Sequence, residues 1–156
     1  MIEFQLLDAT DQILGRFCSQ VAKRVLLGQR IVIINAKNAI ISGNKRQIYE
    51  NYLSRLNIST ATNPRRGPFW PRRPDTLMRG VIKKMLPRKK RRGKEALRRV
   101  HVYISEIPER FKERYPNLIT NEIPNAHKKR LSYYNKFITL ENLCTRIGWN
   151  KQSLEV

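Results

Sequence analysis

A run of five consecutive cations, Arg88 to Arg92, is the stretch of this sequence whose chemistry is easiest to name. Ammonium and guanidinium groups at this density bind polyanions, and each phosphate that they neutralise releases condensed counterions. Pro87 and Gly93 border the run. If the run is extended at about 3.3 Å per residue, it spans about 17 Å and presents cations in two directions. The pattern therefore predicts an extended cationic strip that contacts phosphates on both sides.

A second basic segment, RRGPFWPRR at residues 65–73, interleaves aromatic and cationic side chains. Phe69 and Trp70 lie between two pairs of arginines. An aromatic ring can stack on an unpaired base while arginines hold the neighbouring phosphates, which is a common arrangement in RNA recognition. Trp70 could also pack the loop onto its own domain, so the sequence leaves both roles open for this residue.

The basic run has two simpler explanations, a solvated surface and a localisation signal. The run is internal, however, and segments with apolar helical patterns border it on both sides. The whole chain has 32 Lys+Arg and 12 Asp+Glu, a net charge of +20. Residues 63–99 hold 15 of the Lys+Arg and two acids, so the other 119 residues hold 17 basic and 10 acidic side chains. This distribution favours a mildly basic domain with one very basic insertion that binds a negatively charged partner.

The sequence gives little support for catalysis, a metal site or a membrane span. Cys18 and Cys144 are far apart and neither is near His101 or His127, so we expect two buried, reduced cysteines rather than a zinc site. Neither a dinucleotide-binding nor a P-loop glycine pattern is present. The first residues lack the features of a signal peptide, and no apolar run reaches membrane-spanning length. We therefore expect an intracellular, soluble protein, for which an enzymatic function is the weaker interpretation.

The elements that position the basic segments begin with a strand at 2–9, a helix at 13–28 and a buried strand at 30–35. The helix has one apolar face, formed by Leu14, Phe17, Cys18, Val21 and Val25. Strand, helix and strand within about 35 residues form a βαβ unit with parallel strands. The positions of Asp8 and Asp11 are typical of a turn after the first strand and of a helix cap.

A short strand at 38–43 and an amphipathic helix at 44–56 are predicted next. The inward side chains of that helix are expected to be Ile48, Tyr49, Tyr52, Leu53 and Leu56. Residues 63–74 contain four prolines, which are incompatible with a helix or a central strand. This segment is therefore predicted to be an extended loop.

A helix at 75–86, capped by Asp75 or Thr76, follows that loop. Its apolar face is expected to be Leu77, Met78, Val81, Ile82 and Met85. Gly93 is expected to break the chain before another short helix, and 100–105 alternates as a strand. Helices are predicted at 108–115 and 139–149. The pattern predicts an α/β fold with a small, mainly parallel sheet.

Several stretches, taken in order, resemble the ribosomal protein L13 family of the large subunit. The segment DATDQILGRFCSQVAKRVLLGQRIVIINAKNAIISGNK at 8–45 is similar to the opening of that family, and GP, RP, MLP, RG and VYISEIP follow in the family's order up to residue 108. TLENLCTRIGW resembles the C-terminal helix of the archaeal and eukaryotic branch. The direct step from Gly28 into a strand favours the same branch.

The resemblance implies a three-layer α/β/α domain over residues 1–156 with a four-stranded sheet, in which 63–99 is the RNA-binding insertion. It also implies a structural constituent of the cytoplasmic ribosome that binds large-subunit rRNA, supports assembly and lies beside other large-subunit proteins. No metal, cofactor, membrane or small-molecule substrate is implied. The residues expected to contact rRNA are Arg16, Lys37, Lys45, Arg65, Arg66, Trp70, Arg72, Arg73, Arg79, Lys83, Lys84, Arg88, Lys89, Lys90, Arg91, Arg92, Lys94, Arg98 and Arg99.

Two rival functions belong to other classes. A DNA-binding or chromatin-like module would bind a polyanion too, but the sequence lacks helix-turn-helix and zinc-finger spacing. An RNA-modifying enzyme could use the carboxyl edge of the sheet, although no motif requires it. Competition between duplex DNA and structured RNA, and binding of a nucleotide or methyl donor, would separate these rivals from a structural rRNA-binding protein.

Overall fold

The computed structural model describes residues 3–131 and 136–150. Its strands are β1 (Phe4–Asp8), β2 (Arg30–Ile34), β3 (Ile40–Ser42), β4 (Val100–Val102), β5 (Leu118–Asn121) and β6 (Phe137–Thr139). Its α-helices are α1 (Leu14–Leu26), α2 (Lys45–Leu56), α3 (Pro74–Met85), α4 (Arg91–Arg98), α5 (Glu109–Arg114) and α6 (Leu140–Arg146). Short 3-10 turns lie at Ala36–Asn38, Pro64–Arg66, Pro124–Ala126 and Lys128–Arg130.

Four parallel strands form the main sheet in the order β4-β2-β1-β5. The predicted fold class, an α/β domain with a four-stranded, mainly parallel sheet, is confirmed. The assignment of one predicted strand to this sheet was wrong, because β3 is not in this sheet and pairs antiparallel with β6. Its place is taken by β5, a strand that the sequence pattern did not reveal.

Helices lie on both faces of the sheet and give the expected three layers. On one face, α1, α3, α4 and α6 pack on Leu7, Ile31 and Ile33. On the other face, α5 covers a smaller cluster that includes Phe4 and Val32. The alternation along β2, with Ile31 and Ile33 facing one way and Val32 the other, buries a fully apolar strand between two layers.

The α1 helix confirms its predicted apolar face, because Leu14, Phe17, Cys18, Val21 and Val25 are all buried. The turn after β1 is also confirmed, since Asp8 accepts hydrogen bonds from the amide and hydroxyl of Thr10. The predicted cap was wrong, because Ile13 occupies the N-cap position and no side chain caps the helix.

Three details of α2 and α3 differ from the predictions. Leu53 is 37% exposed, and Met85 is 41% exposed because Leu86 takes the buried position next to it. Neither Asp75 nor Thr76 caps α3, because the helix begins at Pro74 with Arg73 in the N-cap position. A proline fits the first turn of a helix because its missing N–H has no partner there in any case.

Cys18 and Cys144 are free and buried, as predicted. Burial raises the pKa of each thiol to about 12, so both are neutral at pH 7. The described residues contain no group of three or more potential metal ligands. Within the same residues, every helix is too short or too polar to cross a membrane.

Candidate nucleic-acid interface

The five-cation run does not form the extended strip that the sequence suggested. Residues 87–90 form a turn, in which the Lys90 amide donates to the Pro87 carbonyl over 3.1 Å, and α4 begins at Arg91. Gly93 lies inside α4 and does not break the chain. Its amide donates to Lys90, and a Cβ built on it would lie 2.2 Å from the Pro87 carbonyl oxygen. The absence of a side chain at Gly93 therefore allows the turn to fold back on the helix.

The first consequence is a cleft of about 640 Å³ between α3 and α4. Leu86, Gly93 and Leu97 contribute to its walls. The cationic side chains that line it, all exposed, are Lys83, Arg88, Lys89 and Lys94. Because several cations point to one concave surface, the cleft is suited to a phosphate backbone, with ammonium groups acting as point charges and Arg88 able to bind in a bidentate manner.

A second cationic cleft, of about 350 Å³, lies on the other side of α4. Arg98 and Arg99 line it together with Arg30, a residue that the sequence analysis missed. Arg30 begins β2, and the pairing of Ile31 with Val100 brings it next to the end of α4. Nothing in the local sequence reveals this, because the contact depends on the strand order.

Three arginines and one carboxylate, that of Glu95, line the second cleft, so its lining has a net positive charge. Arg91 donates a hydrogen bond of 2.7 Å to Glu95 and lowers the pKa of that carboxyl. Burial lowers the pKa of His101, and the charges of Arg79 and Arg30 lower it further, so its imidazole is neutral at pH 7. The positive charge here therefore comes from arginines. Arg99 also makes a hydrogen bond within the protein, since its guanidinium donates to the Val25 carbonyl over 3.3 Å.

The two aromatic rings of the second basic segment differ in environment, since one is packed against the domain and the other is exposed. Trp70 is half-buried, with the Lys84 ammonium 4.6 Å and the Arg55 guanidinium 5.7 Å from its ring centroid. It lines a pocket of about 90 Å³ against α2, α3 and Ile147. Phe69, in contrast, is 81% exposed. Trp70 thus packs the loop onto the domain, while Phe69 presents the ring that a base could reach.

The remaining predicted residues are spread more widely. Arg73 pairs with Asp75 over 3.0 Å, and the Arg72 guanidinium lies against Gly148 after α6. Three of the nineteen predicted residues, Lys37, Trp70 and Arg99, are half-buried, and the other sixteen are exposed. The structure does not bring all of them together, because neither cleft beside α4 is lined by Arg16, Lys37 or Lys45.

Comparison with known proteins gives one consistent family. A family model described as ribosomal protein L13 matches residues 3–109. The large ribosomal subunit protein uL13 of Methanocaldococcus jannaschii is 42% identical over 144 residues, which cover 92% of this chain and 96% of that protein. The proteins of the same name from Methanopyrus kandleri and Haloarcula marismortui are 39% and 35% identical. They cover 94% of this chain, and the aligned regions cover 88% and 92% of their own lengths.

Proposed function

Since this chain belongs to the ribosomal protein L13 family, we propose that it is a structural constituent of the large ribosomal subunit. In this proposal it binds large-subunit rRNA, supports assembly of the subunit, and works in the cytoplasm as part of the ribosome. Its archaeal relatives carry the name of a large-subunit protein and accord with the predicted archaeal and eukaryotic branch. Neighbouring large-subunit proteins are its further partners.

The observation that supports rRNA binding most directly is the position of α4 between two cationic clefts. Lys83, Arg88, Lys89 and Lys94 line one cleft, and Arg30, Arg98 and Arg99 line the other. A helix with cations on both flanks can lie between two RNA backbone segments and neutralise phosphates on each. We therefore propose that residues 63–99, within one domain of 1–156, fill a groove between RNA helices.

Such contacts position the protein and do not read bases, because ammonium and guanidinium groups bind phosphates of any sequence. Recognition would then come from the shape of the folded RNA, which sets the distance between its backbones. Exposed Phe69, 81% of whose surface is accessible, could add a stack on one unpaired base. No step of this function requires bond making or breaking by the protein.

Replacing the cations at residues 88–91 with neutral glutamines tests this proposal. The slope of log K against log salt for an rRNA fragment is negative, and we expect R88Q/K89Q/K90Q/R91Q to reduce its magnitude by about 3, since each phosphate contact contributes about 0.7 to 0.9. The matched control K23Q/R110Q/K112Q/K136Q removes the same charge from exposed side chains outside both clefts. An unchanged slope in the first variant, or an equal decrease in the control, would contradict the groove-filling role.

A second experiment tests the assignment to the subunit. The chain should sediment with large subunits at low salt and be released as salt is raised, because counterion release drives its binding. Duplex DNA should compete less well than structured RNA. Equal competition would favour the DNA-binding rival.

A further inference from the structure

The strand order creates a crevice that is separate from the two cationic clefts beside α4. From β1 the chain passes through α1, on one face of the sheet, to β2. From β4 it passes through α5, on the opposite face, to β5 on the other side of β1. In open parallel sheets, ligands bind at the carboxyl ends of the strands where the connections diverge in this way. Here that point lies between β1 and β5.

A cleft of about 780 Å³ occupies this position. The residues that line it include Asp8, the last residue of β1, and Asn121, the last residue of β5. They also include His127, Lys129 and Arg130 from the 3-10 turn region that follows β5, and the carboxylate of Glu122. The cleft therefore combines hydrogen-bond acceptors with cations.

Hydrogen bonds hold Asp8 and His127 in place. Asp8 Oδ1 accepts from the Thr10 amide at 2.9 Å, the Thr10 hydroxyl at 2.7 Å and Asn35 Nδ2 at 3.1 Å. His127 Nδ1 accepts from the Lys129 amide at 3.1 Å, which leaves the proton of a neutral imidazole on Nε2. Gln12, which is 8% exposed, also lines the cleft, and its Oε1 has no hydrogen-bond partner among the described residues.

The amino end of α1 does not line this cleft. The Ile13 amide donates to the Ala126 carbonyl over 2.7 Å, and Gln12 forms a β-bridge with His127. The segment after β5 therefore lies against the residues just before α1, and the first turn of α1, whose amides hold phosphate in dinucleotide-binding folds, is not part of the lining of this cleft. A phosphate bound in this cleft must be held by side chains, and Lys129 and Arg130 are exposed and suited to it.

We propose that this cleft binds a single ribonucleotide. The ribose hydroxyls donate to the Asp8 carboxylate and contact Asn121, while the 5′-phosphate pairs with Lys129 and Arg130. His127 Nε2–H is a further donor to the phosphate. The nucleotide is either an unstacked residue of rRNA or a free mononucleotide, and only the first source rests on the proposed rRNA-binding function.

The experiment follows backbone amide shifts of the full chain by NMR during titration with AMP, with 2′-deoxy-AMP, and with an rRNA fragment. We expect AMP to shift amides within 8–12 and 120–130, and the deoxynucleotide to bind about fivefold more weakly because it lacks one hydroxyl donor. K129Q/R130Q should abolish the AMP shifts, and the matched control R110Q/K112Q should keep them. D8N should reduce the preference for ribose without loss of fold.

The outcomes separate the two sources and the two proposals. Shifts in the cleft with AMP support the site, and shifts there with the rRNA fragment alone assign it to a nucleotide of RNA. For R88Q/K89Q/K90Q/R91Q, which leaves the cleft intact, AMP binding should be unchanged. If neither AMP nor the rRNA fragment moves the amides of 8–12 and 120–130, even where AMP moves amides of α3 and α4, the site is disproved while rRNA binding by α4 stands.

Discussion

Gly93 is the residue on which the shape of the cationic surface depends most. Its amide donates to Lys90, and the Pro87 carbonyl lies where a Cβ would be, at 2.2 Å. Real Cβ atoms do not approach a carbonyl oxygen this closely, so the backbone of the turn would have to move. That turn places Arg88 and Lys89 in the cleft beside α3. The positions of these two cations therefore depend on residue 93 having no side chain.

Gly93→Ala should therefore destabilise the protein and weaken the RNA binding that we propose for it. We expect a loss of about 1 to 3 kcal/mol in the free energy of unfolding, the usual cost of overpacking a buried site. Gly15→Ala is the matched control, since Gly15 lies in α1 and a Cβ added there would meet no neighbouring atom within 4 Å. The control should gain about 0.5 to 1 kcal/mol, because alanine favours the helix. Urea unfolding of both variants measures the difference, and equal stabilities would refute the close contact.

At the level of elements, α6 belongs to the same core as the βαβ unit. Leu140, Leu143 and Cys144 are fully buried, and Ile147 and Trp149 after the helix are 5% and 6% exposed. The Leu140 amide donates to the Ala39 carbonyl over 2.8 Å, so α6 is tied to the segment before β3. The cationic region 63–99 is thus flanked by elements that pack into one core, to which α3 contributes Leu77, Met78 and Ile82.

Shortening one α6 side chain should show how much the core depends on this helix. Leu143→Ala is expected to cost about 2 to 5 kcal/mol, the range for removing a fully buried leucine. Leu27→Ala, at a side chain that is 74% exposed, should change stability by less than about 0.5 kcal/mol. Chemical denaturation measures both, and similar small effects would mean that α6 is not part of the cooperative core.

The sequence predicted α1 and β2 well because each depends on a local pattern, a helical apolar face and a continuous β-branched run. β5 was not predicted, since this edge strand has no fully buried side chain and carries Thr120 and Asn121. Arg30 and the role of Gly93 were not predicted either, because they depend on tertiary contacts. The cations of the second basic segment and of α4 were found from composition, whereas their division between two clefts required the fold.

At the scale of the whole molecule, the net charge of +20 should make the free protein and the proposed RNA complex respond to salt in opposite ways. Repulsion among 32 cationic side chains destabilises the folded chain, and much of the charge is concentrated around α3 and α4. Salt screens this repulsion over a distance that decreases from about 30 Å at 0.01 M to about 8 Å at 0.15 M. In the proposed complex, the same salt would compete with the protein's cations for phosphate.

We therefore expect the Tm of the free protein to rise between 0.01 and 0.15 M NaCl, whereas the affinity for an rRNA fragment falls. A screening gain of about 1 kcal/mol would raise the Tm by about 2 to 4 °C for a chain of this size. The Tm of R88Q/K89Q/K90Q/R91Q should rise less with salt, because four of the clustered charges are removed and less repulsion remains for the salt to screen. Calorimetry of both proteins across this salt range measures the effect. A Tm that falls with salt, or an equal rise in the two proteins, would show that repulsion around α4 does not limit the stability of the free chain.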